Sequence, residues 1–213
     1  TELLARRDSK VFALIGTGGQ AEGQLEAVLT VRPELEKVYV YSRNYEKASA
    51  FAKAMEEKFG EKFAVTITAA HTSEEAVRDA DIITAVTTAN NAVFDGTIIK
   101  KGVHINAMGS YTPDMAEIGE YTVTHANKIY TDTNEGVISE SGDLIQPMEK
   151  GTFKESDITG ELGQLINGVV PGRESDDELT LFESVGTAVL DIVTAQRIYE
   201  RAEEMNVGSV IEL

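Results

Sequence analysis

From residue 10 onward, short apolar runs alternate with longer amphipathic stretches, a pattern that predicts strands and helices in turn. Val11 to Ile15 is an unbroken apolar run, as expected of a strand buried on both faces, and it stops at Gly16-Thr17-Gly18-Gly19-Gln20-Ala21. Helical spacing then takes over from Gln20 to about Arg32, with Ala21, Leu25, Val28 and Leu29 on one face. Pro33, which cannot continue a helix, ends it. Lys37 to Tyr41 alternates and is rich in β-branched and aromatic residues, so it predicts a second strand. Tyr45 to Phe59 carries Ala48, Phe51, Ala52 and Met55 as a helical stripe closed by Gly60, and Phe63 to Ala69 predicts a third strand. Thr72-Ser73-Glu74-Glu75 reads as a cap opening a short helix to about Asp79, before a buried strand from Asp81 to Val86. A helical turn is expected over Thr97 to Lys100 and a fifth strand over Val103 to Ala107, while Leu3 to Arg7 reads as the end of a helix.

The second half is patterned more weakly. Lys128 to Asp132 predicts a strand, Leu179 to Phe182 a further short one, and Gly142-Asp143, Pro147 and Gly151 mark turns. The longest helical pattern runs from about Gly186 to Met205, with Val189, Ile192, Val193, Ile198, Tyr199, Ala202 and Met205 in a broad stripe, followed by the tail Val207–Leu213. Strands separated by helical segments predict an α/β fold: a doubly wound, mostly parallel sheet of the Rossmann type, with no linker or repeat to divide residues 1–213.

The first strand, glycine turn and helix carry the spacing G-x-G-x-x-A, which suits a dinucleotide. Gly16 allows the sharp exit from the strand, and Gly18 lets backbone approach a pyrophosphate. Ala21 keeps helix and strand close, and the helix start at Thr17, Gly19 and Gln20 offers free N–H groups to phosphate. At the end of the second strand, where NAD binders place a carboxylate for the ribose 2′-hydroxyl, stand Ser42, Arg43 and Asn44, with Lys47 one turn on. Arg43 can take a 2′-phosphate bidentately, so NADP(H) is expected in preference to NAD(H); the alternative is a solvated surface arginine. Thr87-Thr88 and Asn106-Ala107-Met108-Gly109, at the next two strand ends, fall where a nicotinamide would lie, or else are ordinary loop caps. His71, His104 and His125 lack metal-ligand spacing and are expected to be structural.

A formal net charge of −17 argues against nucleic-acid or anionic-membrane partners, though a local basic pocket is compatible with it. With no cysteine there is no disulfide framework and no thiolate chemistry. No apolar run of transmembrane length or signal-peptide pattern is present, so a cytoplasmic protein is expected.

Val11 to Gln20, Asn106-Ala-Met-Gly-Ser110, Gly142-Asp143, Gly160-Glu-Leu-Gly, Gly172-Arg-Glu-Ser-Asp-Asp-Glu-Leu-Thr-Leu-Phe182 and Ser184-Val-Gly-Thr-Ala188 with Asp191 resemble the ornithine cyclodeaminase/μ-crystallin family along essentially the whole chain. The resemblance implies that Gly16, Gly18, Gln20 and Ala21 cradle the pyrophosphate. It also implies that Ser42, Arg43 and Asn44 favour NADPH, and that Thr87, Thr88, Asn106, Met108, Gly109, Ser184 and Gly186 surround the nicotinamide. It further implies reduction of an imine or ketimine such as Δ1-pyrroline-2-carboxylate, or amino-acid dehydrogenation, on a small imino- or amino-acid substrate by a homodimer. The alternatives are a μ-crystallin-like NADPH-dependent binding protein and an inactive isolated Rossmann unit.

Two departures qualify this. Where cyclodeaminases and alanine dehydrogenases of the family carry an Asp two residues after the strand-five glycine, this chain has Tyr111, a proton donor or a packing residue. Imine reduction is therefore expected over cyclodeamination, with Asp114 and Glu117 in the first turn of a helix after Pro113. The family's first lobe, with its substrate-clamping Arg and Lys residues and its R-T-G-A motif, is not matched. The chain reads as starting just after that motif, so residues 186–213 are expected to lack part of their usual cover.

Overall fold

A computed structural model describes residues 1–209 and 211. Of the tail expected at Val207–Leu213, residues 210, 212 and 213 lie outside the described residues. The first strand and turn form as the pattern predicts: β1 spans Val11–Ile15 and α1 spans Ala21–Val31. Next come β2 at Lys37–Tyr41 and α2 at Tyr45–Met55, the latter capped by Asn44, whose side-chain oxygen accepts the Lys47 N–H at 2.8 Å. The predicted continuation to Phe59 is a π-helical turn, Glu56–Gly60, and a short α3 at Glu61–Phe63 follows. Phe63 therefore belongs to a helix rather than a strand. Ala64 reverses the chain at φ 52°, and β3 is confined to Thr66–Ala69.

In α4, Ser73–Val77, the cap is the expected one, with Thr72 Oγ1 accepting the Glu75 N–H at 3.0 Å. The central strands β4, Ile82–Ala85, and β5, His104–Ala107, are buried at every position. The chain then forms α5 at Glu120–His125, β6 at Lys128–Thr131, α6 at Asn134–Glu140 and α7 at Gly142–Glu149. Last come β7 at Gly160–Glu161, α8 at Leu162–Ile166, β8 at Thr180–Glu183 and α9 at Ala188–Glu204. Three expectations fail. Leu3 to Arg7 and Thr97 to Lys100 are turns and bends rather than helix, because neither segment is long enough to repay nucleation. Gly142-Asp143 and Pro147, read as turn markers, lie inside α7, where Pro147 removes only the bond that its N–H would have made.

The eight strands of the described residues are all parallel, in the order β3-β2-β1-β4-β5-β8-β6-β7. The chain winds outward from β1 through β2 to β3, then returns across β1 to place β4 on its other side. The carboxyl ends of β1 and β4 thus flank a switch point, where an open α/β sheet forms its crevice. Side chains alternate between two apolar layers: Ala13 and Ile15 pack on one face with Ile83, Ile105 and Leu181, and Phe12 and Leu14 on the other with Leu25, Leu29 and Val38.

At the opposite, amino-terminal edge, Asp81 accepts the Lys10 and Val11 N–H groups at 2.8 and 2.9 Å and pairs with Arg6 and Lys100. Arg173 ties that edge together by donating to the carbonyls of Leu4, Glu178 and Val103 and to Thr180 Oγ1. Much of the first part of the Gly172–Phe182 motif is thus a brace for the sheet at the end away from the crevice.

Candidate functional site

The crevice at the switch point is a cleft of about 1010 Å³, floored by the turn after β1. Gly16 holds φ at +116°, and its N–H donates to the Tyr41 carbonyl at 2.8 Å. A Cβ there would come within 2.5 Å of the Val86 carbonyl oxygen, so conformation and close strand approach both require glycine. Gly18 and Gly19 are different: the direction of a Cβ meets nothing within 4 Å, because it faces the open cleft. Ala21 is fully buried between α1 and the sheet and supports the loop from behind. Thr17 and Gln20 line the cleft, and no side chain caps the first turn of α1, a helix start of the kind that offers N–H groups to an anion, although the Ala21 N–H turns back to the Gly18 carbonyl at 3.1 Å.

One wall comes from the end of β2. Ser42, Arg43 and Lys47 line the cleft, whereas Asn44 does not, its carbonyl oxygen being committed to the α2 cap. The cleft carries two cations and not one aspartate or glutamate among its described lining residues, in a chain of formal net charge −17. That contrast makes it an anion site by field as well as by backbone.

The far end is built by Val86 to Val93 after β4 and by Met108, Gly109 and Tyr111 after β5. Thr87 and Thr88 both line it, as do Met108 and Gly109; the Tyr111 side chain is 54% exposed and stands at its mouth. Asn106, by contrast, faces away from the cleft. Its amide nitrogen donates to Thr84 Oγ1 at 3.1 Å and its carbonyl oxygen lies 3.0 Å from His104 Nε2, in a buried ladder continued by Thr180. Burial holds the His104 imidazole well below its ordinary pKa and keeps it neutral. His71 and His125 stack on Tyr45 and Tyr121 at 4.0 and 3.9 Å between ring centroids. Among the described residues no group of acids and histidines is arranged to hold a metal, and no helix is long and apolar enough to cross a membrane.

Comparison with known proteins shows the family. Residues 1–206 match the ornithine cyclodeaminase/mu-crystallin family. The chain belongs to that family. The Δ1-pyrroline-2-carboxylate reductase of Bacillus cereus is 47% identical over 212 residues, covering 100% of this chain and 63% of the relative. The structure of Thermococcus litoralis Δ1-pyrroline-2-carboxylate reductase, in complex with NADH and L-proline, superposes with a TM-score of 0.91 at 41% identity, over 99% of this chain and 63% of that one. An archaeal alanine dehydrogenase, solved as a dimer with bound NAD, gives 0.88 at 33% identity, over 100% of this chain and 63% of that one. The chain thus spans 63% of the length of each of these three relatives.

Within this family member, two features lie behind the cleft. Ser184 and Gly186, expected at the nicotinamide, are not among the residues lining the cleft. Ser184 Oγ donates to Asp132 Oδ2 at 2.8 Å, and the Gly186 N–H donates to the same oxygen at 2.7 Å. Glu117 and Asp114 are not in a helix at all, because residues 111–119 form turns and bends. Glu117 is fully buried, and its Oε1 accepts the Thr87 N–H directly beneath the cleft wall. Burial raises its pKa, and the N–H bonds it accepts offset only part of the shift. Its own N–H, with that of Ile118, donates to Asp143 Oδ1 at 2.7 and 2.9 Å. A signal for Glu117 was present: an acid enclosed by Met115, Ala116 and Ile118, all buried, reads better as an interior segment than as a solvated first turn.

Proposed function

We propose that the cleft holds a nicotinamide dinucleotide, NADP(H) in preference to NAD(H), and that the protein is an oxidoreductase acting on the C=N bond of a small imino acid such as Δ1-pyrroline-2-carboxylate. The observation that carries the reading is the cleft itself. At the switch point it combines a glycine turn open at Gly18 and Gly19 with two cations and no lining carboxylate. When bound, the dinucleotide would supply the hydride for the imine carbon. The chain's part is to hold the pyrophosphate on the turn after β1 and to receive an adenosine 2′-phosphate between Ser42, Arg43 and Lys47. Thr87, Thr88, Met108 and Gly109 would wall the nicotinamide. Tyr111 is the group that we would test as donor of the proton to the imine nitrogen. Identity with the B. cereus reductase, 47% over the whole chain, favours this substrate class over cyclodeamination. The reading takes residues 1–213 as one Rossmann domain that works with a second, substrate-holding lobe in a homodimer.

Fluorescence titration with NADPH and NADH is the direct test. Tighter binding of NADPH is expected, with the difference lost in R43A/K47A. The T. litoralis relative was solved with NADH, so equal affinities would return the cofactor assignment to NAD(H) while leaving the cleft reading intact. A second reading, a nucleotide-dependent binder without turnover, is favoured by the lack of any lining carboxylate or histidine to act as acid or base. Turnover of pyrroline-2-carboxylate with NADPH, assayed with the second lobe present, decides between them.

A further inference from the structure

Three carboxyl groups form a buried line behind the far end of the cleft. Glu117 and Glu183 are fully buried and Asp143 is 1% exposed. Glu183 closes β8, and its Oε1 accepts the Ser141 hydroxyl at 2.8 Å. Asp143 stands in the first turn of α7 beside it and holds the Glu117 and Ile118 N–H groups through Oδ1. Glu117 reaches on to the strand ends: its Oε1 takes the Thr87 N–H after β4, and a Cβ on Gly109 after β5 would overlap its Oε2 and the Thr87 carbonyl oxygen.

In each of the three groups the second oxygen, Glu117 Oε2, Asp143 Oδ2 and Glu183 Oε2, has no hydrogen-bond partner. No ion pair among the described residues involves any of them. Asp132 also faces the line, and its sign adds to the repulsion. Buried acceptors without donors or cations are costly, and a proton held between two carboxyl groups satisfies both of the oxygens that it bridges. Asp143 and Glu183 are the adjacent pair, and the pKa of each is raised, chiefly by burial and also by the like charges around it.

We propose that Glu117 is a positioning residue for the nicotinamide end of the cleft, its carboxylate setting the spacing of the Thr87 and Gly109 strand ends while Asp143, bridged to Glu183 by one shared proton, anchors the Glu117 backbone. The glycine at 109 follows from this, because a larger residue would displace the carboxylate. So does the acid at 143: its Oδ1 receives two backbone N–H groups, and Oδ2 is left to share the proton with Glu183. This inference rests on the dinucleotide reading of the cleft.

The test compares ligands with and without the nicotinamide ring. In E117A and E117D, which remove or withdraw the carboxylate, the affinity for NADPH and NADH should fall about tenfold or more. Affinity for ADP-ribose and its 2′-phosphate, which lack the nicotinamide, should stay within about twofold. In E117Q, whose carbonyl oxygen can still accept the Thr87 N–H, dinucleotide affinity should stay within about threefold of wild type. D143N should also be tolerated, since its amide can donate to Glu183 where the shared proton stood. Amide hydrogen exchange provides the independent readout, with Thr87 losing protection in E117A and E117D and keeping it in E117Q. Equal losses for dinucleotide and ADP-ribose, or unchanged Thr87 exchange in both E117A and E117D, would overturn the assignment. If wild type binds none of these ligands, the dinucleotide reading fails and takes the nicotinamide role with it. Thr87 exchange would then still report whether Glu117 holds the strand end.

Discussion

Gly16 and Gly18 are two residues apart and are glycine for opposite reasons. At Gly16 the backbone itself forbids a side chain, through φ +116° and the Val86 carbonyl; at Gly18 nothing in the protein does. G16A should therefore cost stability, about 3 kcal/mol, from left-handed strain together with a backbone clash. G18A should melt within about 1 kcal/mol of wild type yet weaken dinucleotide binding about tenfold or more, because the methyl group would enter the space meant for phosphate. Thermal melts and NADPH titration on the two variants separate the roles; comparable stability losses at both positions would contradict the assignment. The buried acids make a second prediction at this scale. Asp143 is pushed up from 3.8 to about 7, and Glu183 lies well above its ordinary value. Groups whose pKa is raised by folding favour the folded state when protonated. Their contribution is therefore full below about pH 4 and is lost as pH rises through the folded value near 7. Asp81 has the opposite sign: burial would raise it, but the Lys100 ammonium and the Lys10 and Val11 N–H groups outweigh that, so its contribution is lost only below its unfolded value of 3.8. His104, held neutral by burial, also has the opposite sign, because its unfolded form takes up a proton below 6.5, but it is common to wild type and D143N. Stability measured by chemical denaturation should therefore fall more between pH 5 and pH 8 in wild type than in D143N; equal slopes would contradict the raised Asp143 value.

At the scale of elements, the end of β2 shows how one short run divides between architecture and recognition. Asn44 caps α2, while Ser42, Arg43 and Lys47 face the cleft. N44A should cost about 1 kcal/mol of stability and leave the NADPH to NADH ratio unchanged, whereas R43A should leave the melt within about 0.5 kcal/mol and lower that ratio. A shift of the ratio in N44A would place its amide at the phosphate instead. The same division explains what could be read from the chain beforehand. β1, α1 and β2 were legible almost residue for residue, because each has a clear period and a physical stop: glycine after β1, proline after α1. Between residues 111 and 166 only β6 was, where the expected Lys128 to Asp132 strand forms as Lys128–Thr131. The helices there, α5 to α8, span only five to eight residues, too short to display a period, and α7 contains the proline that normally signals a break. The glycine turn and Ser42-Arg43 were visible from spacing alone. Asn106 was placed at the nicotinamide by its strand-end position and by resemblance, Ser184 and Gly186 by resemblance alone; here Asn106 bonds to His104 and Thr84, and Ser184 and Gly186 bond to Asp132. Glu117 was missed because a buried carboxylate holding a single strand-end N–H leaves no pattern except its apolar neighbours.

The whole molecule combines a sheet covered on both faces with one helix that covers nothing. None of the residues of α9 is buried; Val189, Ile192, Ile198 and Tyr199 are 64–69% exposed and fall on the stripe that the spacing predicts. An apolar helix face of this length, left in water, favours association. Against it stands the formal net charge of −17, which makes two copies repel at long range. The two effects respond differently to salt. Screening shortens the repulsion to about 8 Å at physiological ionic strength and to about 3 Å at 1 M, whereas apolar burial is not weakened by it. The 213-residue chain should therefore sediment as a monomer at low salt and self-associate increasingly as sodium chloride is raised. The variant I192E/I198E should remain monomeric throughout, with an unchanged melt, because neither side chain is part of the core. The remaining length of the relatives, supplied on the same polypeptide, should suppress the salt-driven association if it covers α9. Persistence of that association in I192E/I198E would move the contact to another face of the molecule.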